Sequence, residues 1–359
     1  MRFIELFAGI GGFRYGLEKA SESSQYATEM RRSKERGNRA SDKTGRDNIL
    51  PRSHKTSNRN FQCVWANDID KYACQIYRAR YGTGELFEGD IRGVDPLSIP
   101  ETDLLCGGFP CQSFSIAGKR RGFEDTRGTL FFEICRIARA KRIKYLFLEN
   151  VKGLLNHGGG LTYQIIIATL DELGYDCQWQ VLNSKDFGVP QNRERVFIIG
   201  HLRGECRLEV FPIRESCGEI NELQGQQVGA ITARRGNSKS DGDYIAKGNW
   251  TSQEIEVKYK HKTGKVKQGY SQTGTIFGIN GISPTIDMAN ARIFDTNDGF
   301  RNFTPIEAER LQGFPDGWTS KGIDSNGKEV SISDNQRYKC LGNAVTTNVI
   351  QAIGRRLII

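Results

Sequence analysis

Tyr145-Leu146-Phe147-Leu148 is apolar at every position, and no other feature constrains the fold as much. Consecutive strand residues point to opposite faces, so such a run must be buried on both sides. Parallel sheets covered by helices on each face meet that demand. Other segments repeat the theme. Phe3-Ile4-Glu5-Leu6-Phe7 reads as a strand, Ala8-Gly9-Ile10-Gly11-Gly12 as a turn, and Phe13, Gly16, Leu17 and Ala20 share a helical face. Gln62 to Ala66 is a second strand and Lys71 to Tyr81 a helix. Leu86 to Ile91 is a third strand, and Asp103-Leu104-Leu105-Cys106 a buried one. Helical spacing over Thr129–Ala140 and Leu161–Leu173, with strands at Gln178–Leu182 and Val196–Ile199, completes the alternation. The expected fold class is α/β, a doubly wound and mostly parallel sheet.

In such sheets chemistry gathers at the carboxyl ends of the strands. Gly107-Gly108-Phe109-Pro110-Cys111-Gln112-Ser113-Phe114-Ser115 sits at one of them. Pro110 fixes its own φ and biases Phe109 away from helix, so Cys111 stands on stiff backbone. It is a candidate nucleophile, though most free cysteines are buried and inert. Glu149 follows the apolar run. Partial burial would raise its pKa into the range of a proton donor; a helix cap or an ion pair is the alternative. Arg193 and Arg195, two apart at a strand start, are expected to point to one side and to orient an acid or bind a phosphate or carbonyl. The glycine turn lets backbone approach a nucleotide-like ligand, but F-A-G-x-G-G is not the dinucleotide pattern, and glycine also serves plain turns. Asp68 ends the second strand, where ribose hydroxyls are held, or else caps the next helix; Asp90 ends the third or belongs to a turn.

Two regions break the alternation. Residues 21–60 are polar, rich in Arg, Lys, Ser and Asn, and read as an exposed or disordered insert. From Arg203 to Thr285 helical periodicity fades and basic clusters appear, including Arg234-Arg235 and Lys258–Lys267. These suit a loop-built nucleic-acid surface or a plain solvated β domain. A net charge of +9 favours a polyanionic partner weakly. Lys119-Arg120-Arg121 lies in a long, glycine-punctuated segment after Cys111 that reads as a lid. No apolar run is long enough to span a membrane, and glycine interrupts the first apolar segment too early for a signal peptide. Nine cysteines without a C-x-x-C pair, and only four histidines, argue against zinc or disulfides and for a reducing cytoplasm. No metal site is expected. Near the end, Thr304-Pro305-Ile306-Glu307 carries helix-start signals and Gly313 a stop, and Gly342-Asn343-Ala344-Val345 opens a last helix through Ile353.

Together F-A-G-I-G-G, G-F-P-C-Q-S-F-S, E-N-V, Q-N-R-E-R, R-L-Q-G-F-P and G-N-A-V, in this order, resemble the cytosine-5 DNA methyltransferases of prokaryotic restriction–modification systems. The resemblance spans the chain except 21–60 and 203–285. It implies a Rossmann-like S-adenosylmethionine-dependent catalytic domain over 1–202, a small loop-rich target-recognition domain over 203–340, and a C-terminal helix, 341–359, returning to the catalytic domain. It implies that Cys111 attacks carbon 6 of a flipped-out cytosine, that Glu149 holds and protonates ring nitrogen 3, and that Arg195, with Arg193, supports the cysteine and the base carbonyl. S-adenosylmethionine would lie along Phe7, Gly9, Gly11, Gly12, Asp68, Ile69, Asp90 and Ile91, closed by Asn343, Ala344 and Val345. Double-stranded DNA would meet Gln112, Ser115, Lys119, Arg120, Arg121, Arg234 and Arg235. The implied protein is a monomer of the prokaryotic cytoplasm, near the nucleoid, with a possible cognate endonuclease acting separately. A tRNA-methylating branch of the family and a catalytically silent DNA-binding relative are the alternatives.

Overall fold

The structure is a computed structural model that describes residues 1–22, 61–109, 130–213 and 303–358, together with the backbone of four strands between 228 and 302. Strand β1 (Arg2–Leu6) leads to helix α1 (12–22), β2 (Gln62–Asp68), α2 (Lys71–Tyr81), β3 (Leu86–Glu88) and β4 (Leu104–Gly108). Helix α3 (Leu130–Lys141), β5 (Tyr145–Val151), α4 (Leu161–Glu172), β6 (Tyr175–Asn183), β7 (Gln191–Asn192) and β8 (Glu194–Leu202) follow. Then come β9 (Val228–Thr232), β10 (Thr285–Asp287), β11 (Arg292–Asp295) and β12 (Gly299–Asn302). Helix α5 (Pro305–Leu311), hairpin β13 (Lys321–Ile323) and β14 (Glu329–Ser331), α6 (Asp334–Asn343) and α7 (Thr347–Leu357) end the described chain.

The main sheet has strand order β3-β2-β1-β4-β5-β8-β6. All pairs from β3 to β5 are parallel, and β8 runs against both its neighbours. Strand order reverses between the parallel neighbours β1 and β4, which opens a crevice at their carboxyl ends. Strand β5 behaves as its apolar run requires. Tyr145 and Phe147 enter one core with α1 and α7, while Leu146 and Leu148 enter the other with α3 and α4. A third core joins Ile10, Ala73 and Ile76 to α5, α6 and Trp318.

That third core moves a boundary. Residues 303–340, grouped by sequence with the recognition domain, include Phe303, the apolar faces of α5 and α6, and Trp318, which pack on Ile10, Ala73 and Ile76 of the β1–β2 half. The catalytic half also runs past 202: Leu208, Val210 and Ile213 are buried in the α1–α7 core. They are held by Gln178, whose side chain pairs with Leu208 O and with the amides of Val210 and Phe211, and by Gln180, which brackets Ile213. The last helix does not open at Gly342. Gly342 and Asn343 finish α6, Ala344 is extended, and α7 begins at Thr347. Helix α6 carries Asn335, Gln336, Arg337 and Lys339 among its first residues, so its apolar stripe is too thin to show in the sequence. The capped start at Thr304 is as expected, with a reciprocal Thr304–Glu307 capping box and Pro305 in the first turn; Gly313 follows the helix end at φ +76°. Ser21 belongs to α1, not to the polar insert. Its buried Oγ accepts the Phe61 N–H at 2.9 Å and ties together the two points where that insert leaves and rejoins the fold. Residues 23–60 lie outside the described residues.

Candidate active site and cofactor cradle

The cradle forms where β1 gives way to α1. Phe7 at φ +55°, Gly9 at +55° and Gly11 at +81° coil the backbone tightly. Positive φ is strained for a side-chain-bearing residue, and Phe7 tolerates it only because the surroundings hold it there. Gly11 has a steric reason as well, since a Cβ there would stand 2.4 Å from the Tyr81 ring. Among the described residues, nothing lies within 4 Å of where a Cβ on Gly9 would point. Gly12 is covered by Val345, whose Cγ2 lies 2.7 Å from the Cβ position.

Asp68, at the end of β2, braces this turn. One carboxylate oxygen accepts the Gly9 N–H at 2.7 Å and the other the Asp70 N–H at 2.8 Å. Burial pushes its pKa up, and the amides of Asp70, Gly9 and Ile69 pull against that shift. One lone pair of the carboxylate stays open to a ligand hydroxyl. The helix cap is Asp70 instead: it accepts from Tyr72 N and Ala73 N and pairs with Lys339 of α6 at 2.5 Å. Ile69 beside it is 68% exposed. Asp90 caps a short 3-10 turn and is held by its own neighbour Arg92, which keeps its carboxyl below the usual range. Ile91 is buried in the α3-side core, so its side chain does not line the cradle. Of the closing residues, Asn343 is exposed while Ala344 and Val345 are buried against the fold.

The second half of the site lies one strand over. Register pairs Gly108 of β4 with Glu149 of β5. A Cβ on Gly108 would come within 3.1 Å of Glu149 Oε2, so glycine leaves room for the carboxylate. Arg195 reaches across from β8, its Nε 3.1 Å from Glu149 Oε1, and neither side chain is more than 14% exposed. Burial raises the Glu149 pKa, and the charges of Arg195 and then Arg193 oppose the rise. The adjoining Asn150 is buried and donates its side-chain amide to Phe109 O at 2.7 Å. That bond fixes the backbone two residues before Cys111.

The two arginines do not share one orientation. Arg195 faces Glu149, whereas Arg193 is buried and turned toward the α6–α7 corner, donating to Ala344 O at 2.8 Å and Gly342 O at 3.3 Å. Cys111, Gln112, Ser115, Lys119, Arg120, Arg121, Arg234 and Arg235 lie outside the described residues. Sequence reasoning missed Glu5, Asn150, Asp70 and Lys339 as parts of this region. Asn150 was legible in principle, since a polar residue continuing a buried strand beside an acid needs a partner. Glu5 was legible in the same way, as the one charged residue in an apolar strand.

The sequence profile of the C-5 cytosine-specific DNA methylase family matches residues 52–358. The chain is 34% identical to the Type II methyltransferase M.HhaI of Haemophilus parahaemolyticus, over 98% of this chain and 93% of that protein. It is also 34% identical to M.NlaX of Neisseria lactamica, over 99% and 96% of the two chains. Among solved structures, the DNMT2 of Spodoptera frugiperda matches with a TM-score of 0.58 at 17% identity, over 100% of this chain and 99% of that one. The Dnmt2 of S. pombe matches with a TM-score of 0.59 at 18%, over 100% and 97%.

Proposed function

The chain belongs to the C-5 cytosine-specific DNA methylase family and methylates carbon 5 of cytosine in DNA, and we propose that Cys111, Glu149 and Arg195 carry the reaction at a base flipped out of the duplex. The observation that carries this reading is the Glu149–Arg195 pair at the mouth of the β4–β5 junction, on the strand next to the one that leads into Cys111. Carbon 6 of a stacked cytosine is out of reach of a side chain, so the base must leave the helix.

The steps follow from the chemistry of an electron-poor pyrimidine. The Cys111 thiolate bonds to carbon 6, and the displaced ring electrons collect at carbon 5. Glu149 holds a proton at ring nitrogen 3, so that negative charge does not build up on the ring. Its burial suits that task, because desolvation raises its pKa and so favours the protonated form. Arg195 orients Glu149 and lies within reach of the base carbonyl. With a donor bound, carbon 5 would take the methyl group as the donor's carbon–sulfur bond breaks; solvent would accept the carbon-5 proton, and the electron pair left behind would re-form the ring double bond and expel the Cys111 thiolate.

The methyl donor proposed is S-adenosylmethionine. It fits the glycine turn at Gly9, an acid at Asp68 with a spare lone pair, and an exposed apolar Ile69 for an adenine face. When bound it supplies an electrophilic methyl group. Asp90 would sit at the far rim, and Val345 and Ala344 back the turn from the C-terminal side.

The reading extends to a modification enzyme of a restriction–modification system, acting as a monomer beside a separate endonuclease. The Type II names of relatives aligned over nearly the whole chain support that role. Lys119–Arg121 and Arg234–Arg235 are the proposed DNA contacts. Among the described residues no helix is long and apolar enough to cross a membrane.

The test is bisulfite sequencing of unmethylated plasmid after incubation with the protein and S-adenosylmethionine, with Cys111→Ala in parallel. Protected cytosines within one short repeated sequence, absent with the variant, are the expected result. No protection by a folded, cofactor-binding protein would refute the reading and make tRNA the next substrate to try.

A further inference from the structure

Between the base-handling pair and the cofactor cradle lies a polar network with almost no solvent access. Ser184, Gln191, Arg193, Gln312 and Thr346 are each 4% exposed or less. They come from three separate stretches: the turn before β8, the end of α5, and the α6–α7 corner. Gln312 is the hub. Its Nε2 donates to Leu341 O at 2.8 Å, and its Oε1 accepts the Thr346 hydroxyl at 2.8 Å. Its backbone carbonyl accepts the Thr347 N–H at 3.0 Å. Gln191 donates to Leu311 O at 2.6 Å, and Ser184 and Thr346 share a hydroxyl bond of 2.8 Å. Arg193 closes the set on Ala344 O.

Apolar packing alone holds helices without fixing their register closely, whereas a satisfied buried network admits one arrangement. The arrangement fixed here is functional. Ala344 leads into Val345, which rests on Gly12 at the end of the cofactor turn. Arg193 is two residues from Arg195, which holds Glu149. Helix α5 is also the first helix after the variable region. We infer that Gln312 is a positioning residue: its carboxamide sets the α6–α7 corner against the cofactor turn. Arg193 joins this positioning network through its bonds to Gly342 O and Ala344 O.

The inference rests on the proposed cofactor cradle and base site. Its test is S-adenosylmethionine binding by calorimetry on the full chain, with steady-state kinetics alongside, for Gln312→Met, Thr346→Val and Glu149→Gln. Losing the hub's two side-chain bonds is expected to weaken S-adenosylmethionine binding about tenfold, with kcat at saturation within about threefold of wild type. Thr346→Val, nearly isosteric and missing one hydroxyl, should weaken binding by about threefold. A merely structural role would lower thermal stability without this split between affinity and turnover. If both folded variants bind S-adenosylmethionine within a factor of two of wild type, the inference is overturned. Should Gln312→Met fail to fold, Thr346→Val decides alone. Glu149→Gln separates the two readings, since it should lose turnover and keep cofactor binding. If it keeps turnover, the base-site assignment fails, whatever Gln312 does.

Discussion

Glu5 is the one buried charged residue of β1, completely enclosed behind the glycine turn. One carboxyl oxygen accepts the Phe13 N–H at 3.0 Å, and the other has no hydrogen-bond partner among the described residues. Burial pushes its pKa from 4.5 up to about 8; the Phe13 amide and the nearby Arg14 charge oppose that rise, and Glu18 adds to it. The thiol of Cys63 and the phenols of Tyr77 and Tyr81 nearby are raised too, so they stay neutral across the same range. Below pH 4.5 the folded and unfolded chains both hold the Glu5 proton. Between 4.5 and about 8 only the folded chain holds it, so rising pH favours unfolding, and above about 8 the whole penalty is present. Glu5→Gln keeps an acceptor for Phe13 and removes the titration. From pH 5.5 to 8.5 the native protein should lose roughly 3 kcal/mol more unfolding free energy than the variant, at about 1.36 kcal/mol per pKa unit. Urea unfolding of both proteins at the two pH values measures this, because every other titrating group is common to the pair. Parallel losses, with a difference under about 1 kcal/mol, would show that Glu5 does not carry a proton that the unfolded chain lacks.

Four further outcomes are expected. Cys111→Ala abolishes methyl transfer and leaves S-adenosylmethionine binding intact, because the thiol does covalent chemistry and is no part of the cradle; equal loss of both in a folded variant would contradict this. Asp68→Ala weakens cofactor binding by tenfold or more on the order of a lost charged hydrogen bond and leaves DNA affinity unchanged, as a filter-binding comparison would reveal. Gly108→Ala forces a methyl group to about 3 Å from the Glu149 carboxylate, so kcat should fall by about tenfold or more, as a displaced acid requires, with cofactor affinity near wild type. DNA binding should weaken steeply between 50 and 200 mM salt, by about a factor of ten for each one or two phosphate contacts; a flat response would remove phosphate contacts from the proposed interface.

Strand positions were legible because their signals are local. The two-sided apolarity of Tyr145–Leu148, the glycine turn after Leu6 and the Thr304–Glu307 capping box all act over a few residues, and the structure forms each where the pattern lies. Glu149 and Arg195 were legible as chemistry, and their pairing at 3.1 Å needed β5 and β8 to become neighbours. Helix α6 was hidden because its stability comes from Leu341 and Cys340 meeting Ala73 and Ile76, not from a broad stripe of its own. The side-chain orientations of Arg193 and Ile91 were not legible for the same reason: adjacency in the chain says which residues are close to a strand end, not which way their side chains turn.

Hydrophobic period, turn residues and motif spacing are properties of neighbouring positions, so the order of residues was enough for the alternation of strands and helices, the candidate residues for chemistry, and the family. Only the tertiary structure decided that Asp70 caps α2 while Asp68 braces the glycine turn. Only it brought Arg193 to the carbonyls of Gly342 and Ala344, about 150 residues away, and set Val345 upon Gly12. Each of these depends on a buried polar or close-packed contact between distant segments. Such contacts are selected by desolvation, because a buried charge or amide must find a partner wherever the folded chain brings one within reach.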